Sequence, residues 1–363
     1  MEVRVEEIVA TAYEVPTDEP ESDGTLEWDS TTIVVVEAVA GDRRGLGYGY
    51  GHPAMAAVIE ATLSPLVVGT DAMAPARAWE TMQERVRNFG REGVCAMAIS
   101  AVDIGLWDLR AKLLGLSLAD SLGRFREAIP AYGSGGFTSY SDERLTEQLR
   151  GWVERGCRRV KIKVGREPER DLARLAVARE AVGEEVELMA DANGAFDRRA
   201  AARWAERYAE LGVSYLEEPV PSDDLDGLRW LRDVVPPGIE IAAGEYAWDL
   251  FELERLAGCV DVLQADVTRC AGITNLLRAD GICRARNLPF SAHCAPQVSA
   301  HLCCAMERAV HVEYFHDHER VESMLFDGVL GLEDGALRPD PARPGLGIEL
   351  RRERAERFLL GDR

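Results

Sequence analysis

The chain has 363 residues, 47% of them hydrophobic and 29% charged, which supplies a large folded core and excludes a disordered polypeptide. A net charge of −21 repels phosphate backbones and anionic lipid, so neither nucleic acid nor a membrane surface is an expected partner, and an anionic substrate would need a local positive centre. Apolar runs such as Ile33 to Val36 are far too short to span a bilayer, and the opening MEVRVEEIVATAYEVP has no basic region followed by an apolar stretch; a cytoplasmic location is expected.

Glu2 to Tyr13 and Ile33 to Gly41 read as a strand pair. Between them, Pro16 to Ser30 reads as an acidic loop containing Gly24 and Trp28, and a loop of that length without structure of its own predicts a lid. A glycine-rich stretch, Gly45 to Gly51, and helices through Leu118 complete an α+β capping domain assigned to residues 1–127. From Pro130 onward, strand-like runs alternate with amphipathic helices rich in Ala, Leu and Arg, such as Glu169 to Val182 and Arg198 to Leu211. The runs are Ile129–Tyr132, Val160–Val164, Glu187–Asn193, Ser214–Pro219, Glu240–Glu245, Val262–Asp266, Pro289–His293 and His311–Phe315. Eight such units predict an α/β fold, a (β/α)8 TIM-type barrel over residues 128–330 with atypical first units. Residues 331–363, rich in Gly, Pro and Arg, are expected to return and complete the capping domain. The eight cysteines form no CxxC pair and read as buried free thiols, Cys303 and Cys304 on an apolar helix included.

Of 42 basic residues only Lys112, Lys161 and Lys163 are lysine. Arginine cannot deprotonate in a protein, whereas a lysine among other cations can have its pKa lowered until it serves as a base. Residues i and i+2 of a strand face the same way, so Lys161 and Lys163 are expected to project together into the barrel mouth. Acidic residues end three successive strands: Asp191 in ADANG, Glu217 in LEEP and Glu245 in AAGEY. Carboxylates at neighbouring strand ends converge and repel, and a divalent cation resolves the conflict; all-oxygen ligation favours Mg2+, with Mn2+ as a substitute. Glu218, of opposite parity, reads as a partner behind the ligands. Two later strands end in Asp266 and His293, and the last carries Glu313. A carboxylate beside a histidine fixes its tautomer and makes a competent base opposite the lysines. His301, His316 and His318 read as structural or rim residues, while His311 shares parity with Glu313 and stays open between core filling and function.

The pattern resembles the enolase superfamily and, within it, the mandelate racemase subgroup, over nearly the whole chain. The resemblance places the family's Lys-x-Lys on Lys161 and Lys163, its metal ligands on Asp191, Glu217 and Glu245, its His/Asp dyad on His293 and Asp266, its electrophilic glutamate on Glu313 and its substrate-carboxylate contact on Asn193. Ala265 and Tyr246 depart from the proline and asparagine of many relatives. The resemblance implies Mg2+-dependent removal of the proton beside a carboxylate, with an enediolate stabilised by the metal, Lys161 and a protonated Glu313; use of a Lys or His base with Mg2+ is this superfamily's own worked example. Dehydration of an acid sugar to a 2-keto-3-deoxy acid is the first expectation, and racemisation or epimerisation the second. Muconate-type cycloisomerases and dipeptide epimerases use a second lysine from a later strand, and no lysine follows Lys163. A catalytically inactive binding protein would not be expected to keep this full set of buried charges. The lid, with Asp18, Glu19, Glu21, Asp23, Glu27 and Asp29 but no Lys or Arg, suggests a monocarboxylate substrate, unless a barrel loop supplies a cation such as Arg166. Trp28, Tyr48, Tyr50, His52 and Tyr132 are candidate substrate contacts, and a homo-oligomer is expected.

Overall fold

The computed structural model describes residues 3–361, so Glu2 of the expected first strand lies outside the described residues. Three antiparallel strands, β1 (Glu7–Ser22), β2 (Glu27–Ala40) and β3 (Arg43–Tyr50), form the N-terminal sheet. The apolar run in β2 is buried on both faces: Ile33 and Val35 join the barrel's hydrophobic cluster, whereas Val34 and Val36 join the capping cluster. Strand alternation thus makes one short segment the seam between two cores. The glycines of β3 permit close packing, since a Cβ on Gly47 would stand 2.1 Å from the Ala101 carbonyl oxygen of the helix Val94–Leu114.

Eight parallel strands follow: β4 (Ile129–Gly135), β5 (Arg159–Lys163), β6 (Glu187–Asp191), β7 (Val213–Glu217), β8 (Glu240–Ala243), β9 (Val262–Asp266), β10 (Phe290–His293) and β11 (Ala309–Phe315). They pair in sequence order, and β11 pairs back on β4 to close the (β/α)8 barrel. Outward residues such as Val160, Ile162, Leu188, Ala190 and Leu216 pack against the helices. The inward set fills the lower barrel with Tyr132, Met189, Tyr215, Ala242 and Val262. After the barrel, β12 (Phe326–Asp327) pairs with β14 (Glu349–Leu350), and β13 (Ala336–Leu337) adds to β4. The tail then reaches the N-terminal sheet, where the Leu360 N–H donates to the Ala12 carbonyl at 3.0 Å and Arg352 pairs with Glu37. No helix among the described residues is long and apolar enough to cross a membrane.

The segment expected to be an irregular lid loop is mostly strand. Pro16 pairs with Ser30, an irregularity follows, and pairing resumes with Glu21 opposite Trp28 and Ser22 opposite Glu27. Only residues 23–26 form the turn, closed by Asp23 Oδ1, which accepts the N–H groups of Thr25 and Leu26 at 2.6 and 2.7 Å. The Asx turn lets two polar, charge-rich arms pair, a fact that their lack of apolar alternation concealed.

Candidate active site

Alternation places Lys161, Lys163, Asp191, Glu217, Asp266, His293 and Glu313 on the inner face of the barrel at its C-terminal end. All seven are buried, Lys161 completely. Lys163, Asp191 and Glu217 stand in one cross-strand row, and His293 stands opposite Asp266 in another. Glu245 lies two residues beyond β8, in the loop. Single ligand atoms of Asp191, Glu217 and Glu245 approach within 4.8 Å of one another, and Glu217 Oε1 is buried without a hydrogen-bond partner. Three converging carboxylates with a spare buried oxygen fit a hard divalent cation.

The turns after these strands are strained. Asn193, Glu218, Cys294 and Ala295 have φ values of 45, 39, 47 and 43°, in the left-handed region that non-glycine residues rarely occupy. Asn193 thereby faces the cavity with Oδ1 buried and unpartnered, while its N–H donates to Asp191 Oδ1 at 2.9 Å. Glu218 is buried behind the cluster, and burial together with Glu245, Asp191 and Glu217 raises its pKa well above the carboxylate range.

Lys161 Nζ lies 2.7 Å from Glu217 Oε2 and 2.8 Å from Glu313 Oε1, and Lys163 Nζ lies 2.5 Å from Asp191 Oδ2. Burial lowers both lysine pKa values, but the adjacent carboxylates outweigh it and push both up. The raising groups include the cluster carboxylates themselves, while Lys161 acts on Lys163 in the opposite direction. Burial and the neighbouring carboxylates push Glu217 up to about 8 despite Lys161. Glu313 is opposed by burial, yet Lys161, His293 and Lys163 hold its pKa well below the carboxylate range.

His293 Nδ1 is 2.7 Å from Asp266 Oδ2 and Nε2 is 2.6 Å from Glu245 Oε2. Burial disfavours its charge, but the Cys294 sulfur, Glu245, Glu313 and the Asp266 hydrogen bond raise its pKa. Asp266 Oδ1 accepts from the N–H and hydroxyl of Thr268 at 2.6 and 2.7 Å, which fixes the carboxylate that orients the imidazole.

A cavity of about 350 Å3 opens above this cluster, and Lys163, His293, Asn193 and Glu245 line it together with Trp28 and Tyr50. The other candidate contacts lie elsewhere. Tyr48 is buried, donating to Glu322 at 2.5 Å; His52 is exposed and accepts from the Ala54 N–H at 3.1 Å. Tyr132 fills the barrel floor beneath Lys161, packed edge-on against the buried His311. None of these three lines the cavity, since a glycine-rich strand and an inward barrel position say nothing about depth. His301 is buried and His316 sits at the rim, but His318 lines the cavity, stacked on Tyr50 with centroids 3.4 Å apart.

Sequence reasoning missed Cys294 and Arg269. All eight cysteines are free and buried, but Cys294 lines the cavity, and its N–H donates to Glu313 Oε2 at 3.1 Å. Arg269, one turn after Asp266, lines the cavity 3.7 Å from Asp266 and 3.9 Å from Glu245. Their adjacency to His293 and Asp266 was the available signal. Of the lid acids only Asp23 lines the cavity, and Arg166, offered above as a possible cation there, instead clamps the hairpin, donating to the Asp23 carbonyl at 3.0 Å and pairing with Glu27. The charge argument for a monocarboxylate therefore loses its original basis.

A closed (β/α)8 barrel with strand-end carboxylates, a lysine pair and a His/Asp dyad beneath an α+β cap defines a class of enzyme scaffold. Residues 144–355 match the enolase C-terminal domain-like family and residues 9–123 the mandelate racemase/muconate lactonizing enzyme N-terminal domain. The chain belongs to the mandelate racemase/muconate lactonizing enzyme family of the enolase superfamily. A mandelate racemase/muconate lactonizing enzyme-like protein from Rubrobacter xylanophilus is 61% identical, with a TM-score of 0.97 over 98% of this chain and 99% of that one. The arabinonate dehydratase of Saccharolobus solfataricus is 29% identical over 90% of this chain and 89% of its own. The L-talarate/galactarate dehydratase of Salmonella typhimurium, solved with Mg and L-lyxarohydroxamate, is 28% identical with a TM-score of 0.91, covering 99% of this chain and 94% of that one.

Proposed function

We propose that this protein is a Mg2+-dependent hydro-lyase that removes the proton beside a carboxylate of an acid sugar and yields a 2-keto-3-deoxy acid. The observation that carries the reading is that Lys163 and His293, from strands β5 and β10, reach one cavity also lined by Asn193 and by Glu245, the carboxylate that Asp191 and Glu217 join in the cluster. Asp191, Glu217 and Glu245 would hold the ion, which supplies positive charge against the enediolate that develops on the substrate carboxylate. Once Asp191 is so committed, Lys163 loses the counter-charge that raises its pKa and becomes available to exchange a proton. Asp266 accepts the Nδ1–H of His293, leaving Nε2 to act on the opposite face of the substrate. Glu313, ionised, fixes the Lys161 ammonium, which donates to the carboxylate oxygens as charge builds. One group takes the proton at C2; the other protonates the C3 hydroxyl, which leaves as water, and the enol product becomes the ketone.

Racemisation or epimerisation is the second reading, since the same two groups could reprotonate C2 from the opposite face. The test is incubation with Mg2+ and an acid-sugar library in D2O, following deuterium at C2 and keto-acid formation by NMR. Exchange without elimination would favour racemisation, and no exchange with any member would favour a binding protein.

An aldonate is preferred over an aldarate on grounds other than lid charge. Both cations lining the cavity, Lys163 and Arg269, touch the carboxylate cluster, while Trp28, Ser30, Thr31 and Thr32 of the hairpin offer hydroxyls and an apolar cover. A second carboxylate at that end would find no cationic fork. Faster dehydration of galactarate or glucarate than of the matching aldonates would overturn this preference.

A further inference from the structure

The hairpin and the helix His316–Leu325 bring together a second group of ligating side chains outside the cavity. Asp18, Glu21 and His316 each offer an atom within 4.8 Å of the others, with His316 Nε2 3.0 Å from Asp18 Oδ2. Glu21 is 0% exposed; its Oε2 accepts from Trp28 Nε1 at 2.8 Å, but Oε1 is buried with no hydrogen-bond partner. A fully buried carboxylate oxygen without a donor costs stability unless something positive meets it. Of the nearby arginines, Arg144 pairs with Asp18 itself at 3.2 Å and Arg320 with Asp317 at 2.7 Å, and neither donates to Glu21 Oε1. Burial, with Asp317 adding to it, pushes Glu21 up to about 9, as expected of a carboxyl held among like charges without its own counter-ion.

We infer that Asp18, Glu21 and His316 form a second divalent-cation site, distinct in chemistry from the barrel cluster. One imidazole and two carboxylates suit a borderline ion such as Zn2+, whereas the all-oxygen barrel site suits Mg2+. An ion there joins the hairpin arm to the first residue of the helix that follows β11, the strand carrying Glu313. It also fixes Glu21, whose other oxygen holds the Trp28 indole over the cavity. Zn2+ is thus a staple for the closed hairpin.

The full chain, saturated with Mg2+, is titrated with Zn2+ by calorimetry, and crystals soaked in Zn2+ are measured at the zinc absorption edge. The expected result is a saturable zinc site with an anomalous peak between Asp18, Glu21 and His316, and at least a tenfold loss of zinc affinity in His316→Gln and in Glu21→Gln. Zinc density confined to Asp191, Glu217 and Glu245, or unchanged affinity in His316→Gln, overturns the assignment. Should either variant fail to fold, the anomalous map of the unaltered protein decides alone.

Discussion

The barrel mouth and the hairpin that covers it are both polar, charge-bearing surfaces, yet they are built by opposite means. At the mouth, the functional groups come from successive parallel strands and the loop after β8, and cross-strand register delivers Lys163, Asp191 and Glu217 to one row. In the hairpin, two adjacent arms are positioned from outside: Ser22 meets Thr138 at 2.6 Å, and Arg166 holds the turn. A Cβ on Gly24 would stand 2.4 Å from the Ala192 carbonyl oxygen, so the tip rests directly on the loop after β6. Chemistry is therefore carried by the rigid scaffold, and access by an element whose position depends on a few contacts.

Breaking the mouth should have the largest effect. Asp191→Asn removes a cluster carboxylate and the partner of Lys163, so turnover is expected to fall on the order of 10^3-fold together with Mg2+ affinity. Calorimetry and kinetics on one preparation check this, and a loss confined to either readout would break the assignment. Lys163→Met and His293→Asn should each lower turnover about 10^2- to 10^3-fold while metal binding largely survives. Full dehydration by His293→Asn would instead leave Lys163 as both base and acid.

A titrating group remote from both regions sets the background for such measurements. His301 is buried, and burial lowers its pKa to about 4 from 6.5. The unfolded chain takes up this proton first on acidification, so the stability the neutral ring contributes is present above about 6.5 and is lost as pH falls to about 4. The loss is up to about 3 kcal/mol across that window. Urea unfolding of His301→Gln should show correspondingly less acid sensitivity than the unaltered chain; an identical pH profile would contradict it.

The smallest change sharpens the contrast. Gly24→Ala forces the tip away from Ala192, so KM should rise about tenfold with Mg2+ affinity unchanged, a difference near 1.4 kcal/mol. A parallel loss of metal affinity would mean that the hairpin and the cluster are one mechanical unit.

The sequence by itself determined the barrel and its acid/base and metal-ligand candidates. A period of two fixes which face a residue takes, and the alternating βα pattern fixes which end of the strand becomes the mouth, so Lys161, Lys163, Asp191, Glu217, Asp266, His293 and Glu313 could be placed from order and parity alone. Parity carries no information about depth, which is why Tyr132 and His311, of the correct face, turned out to fill the floor. Only the tertiary structure decided what approaches from other elements: that Pro16 to Ser30 pairs with itself, that Arg166 is spent on the hairpin, and that Arg269 and Cys294 enter the cavity. It also set the neighbours of Lys163 and Glu313, a carboxylate that pushes the lysine pKa up and cations that push the glutamate pKa down. A pKa is set by through-space neighbours in a low-dielectric interior, and those neighbours come from strands that are distant in the sequence.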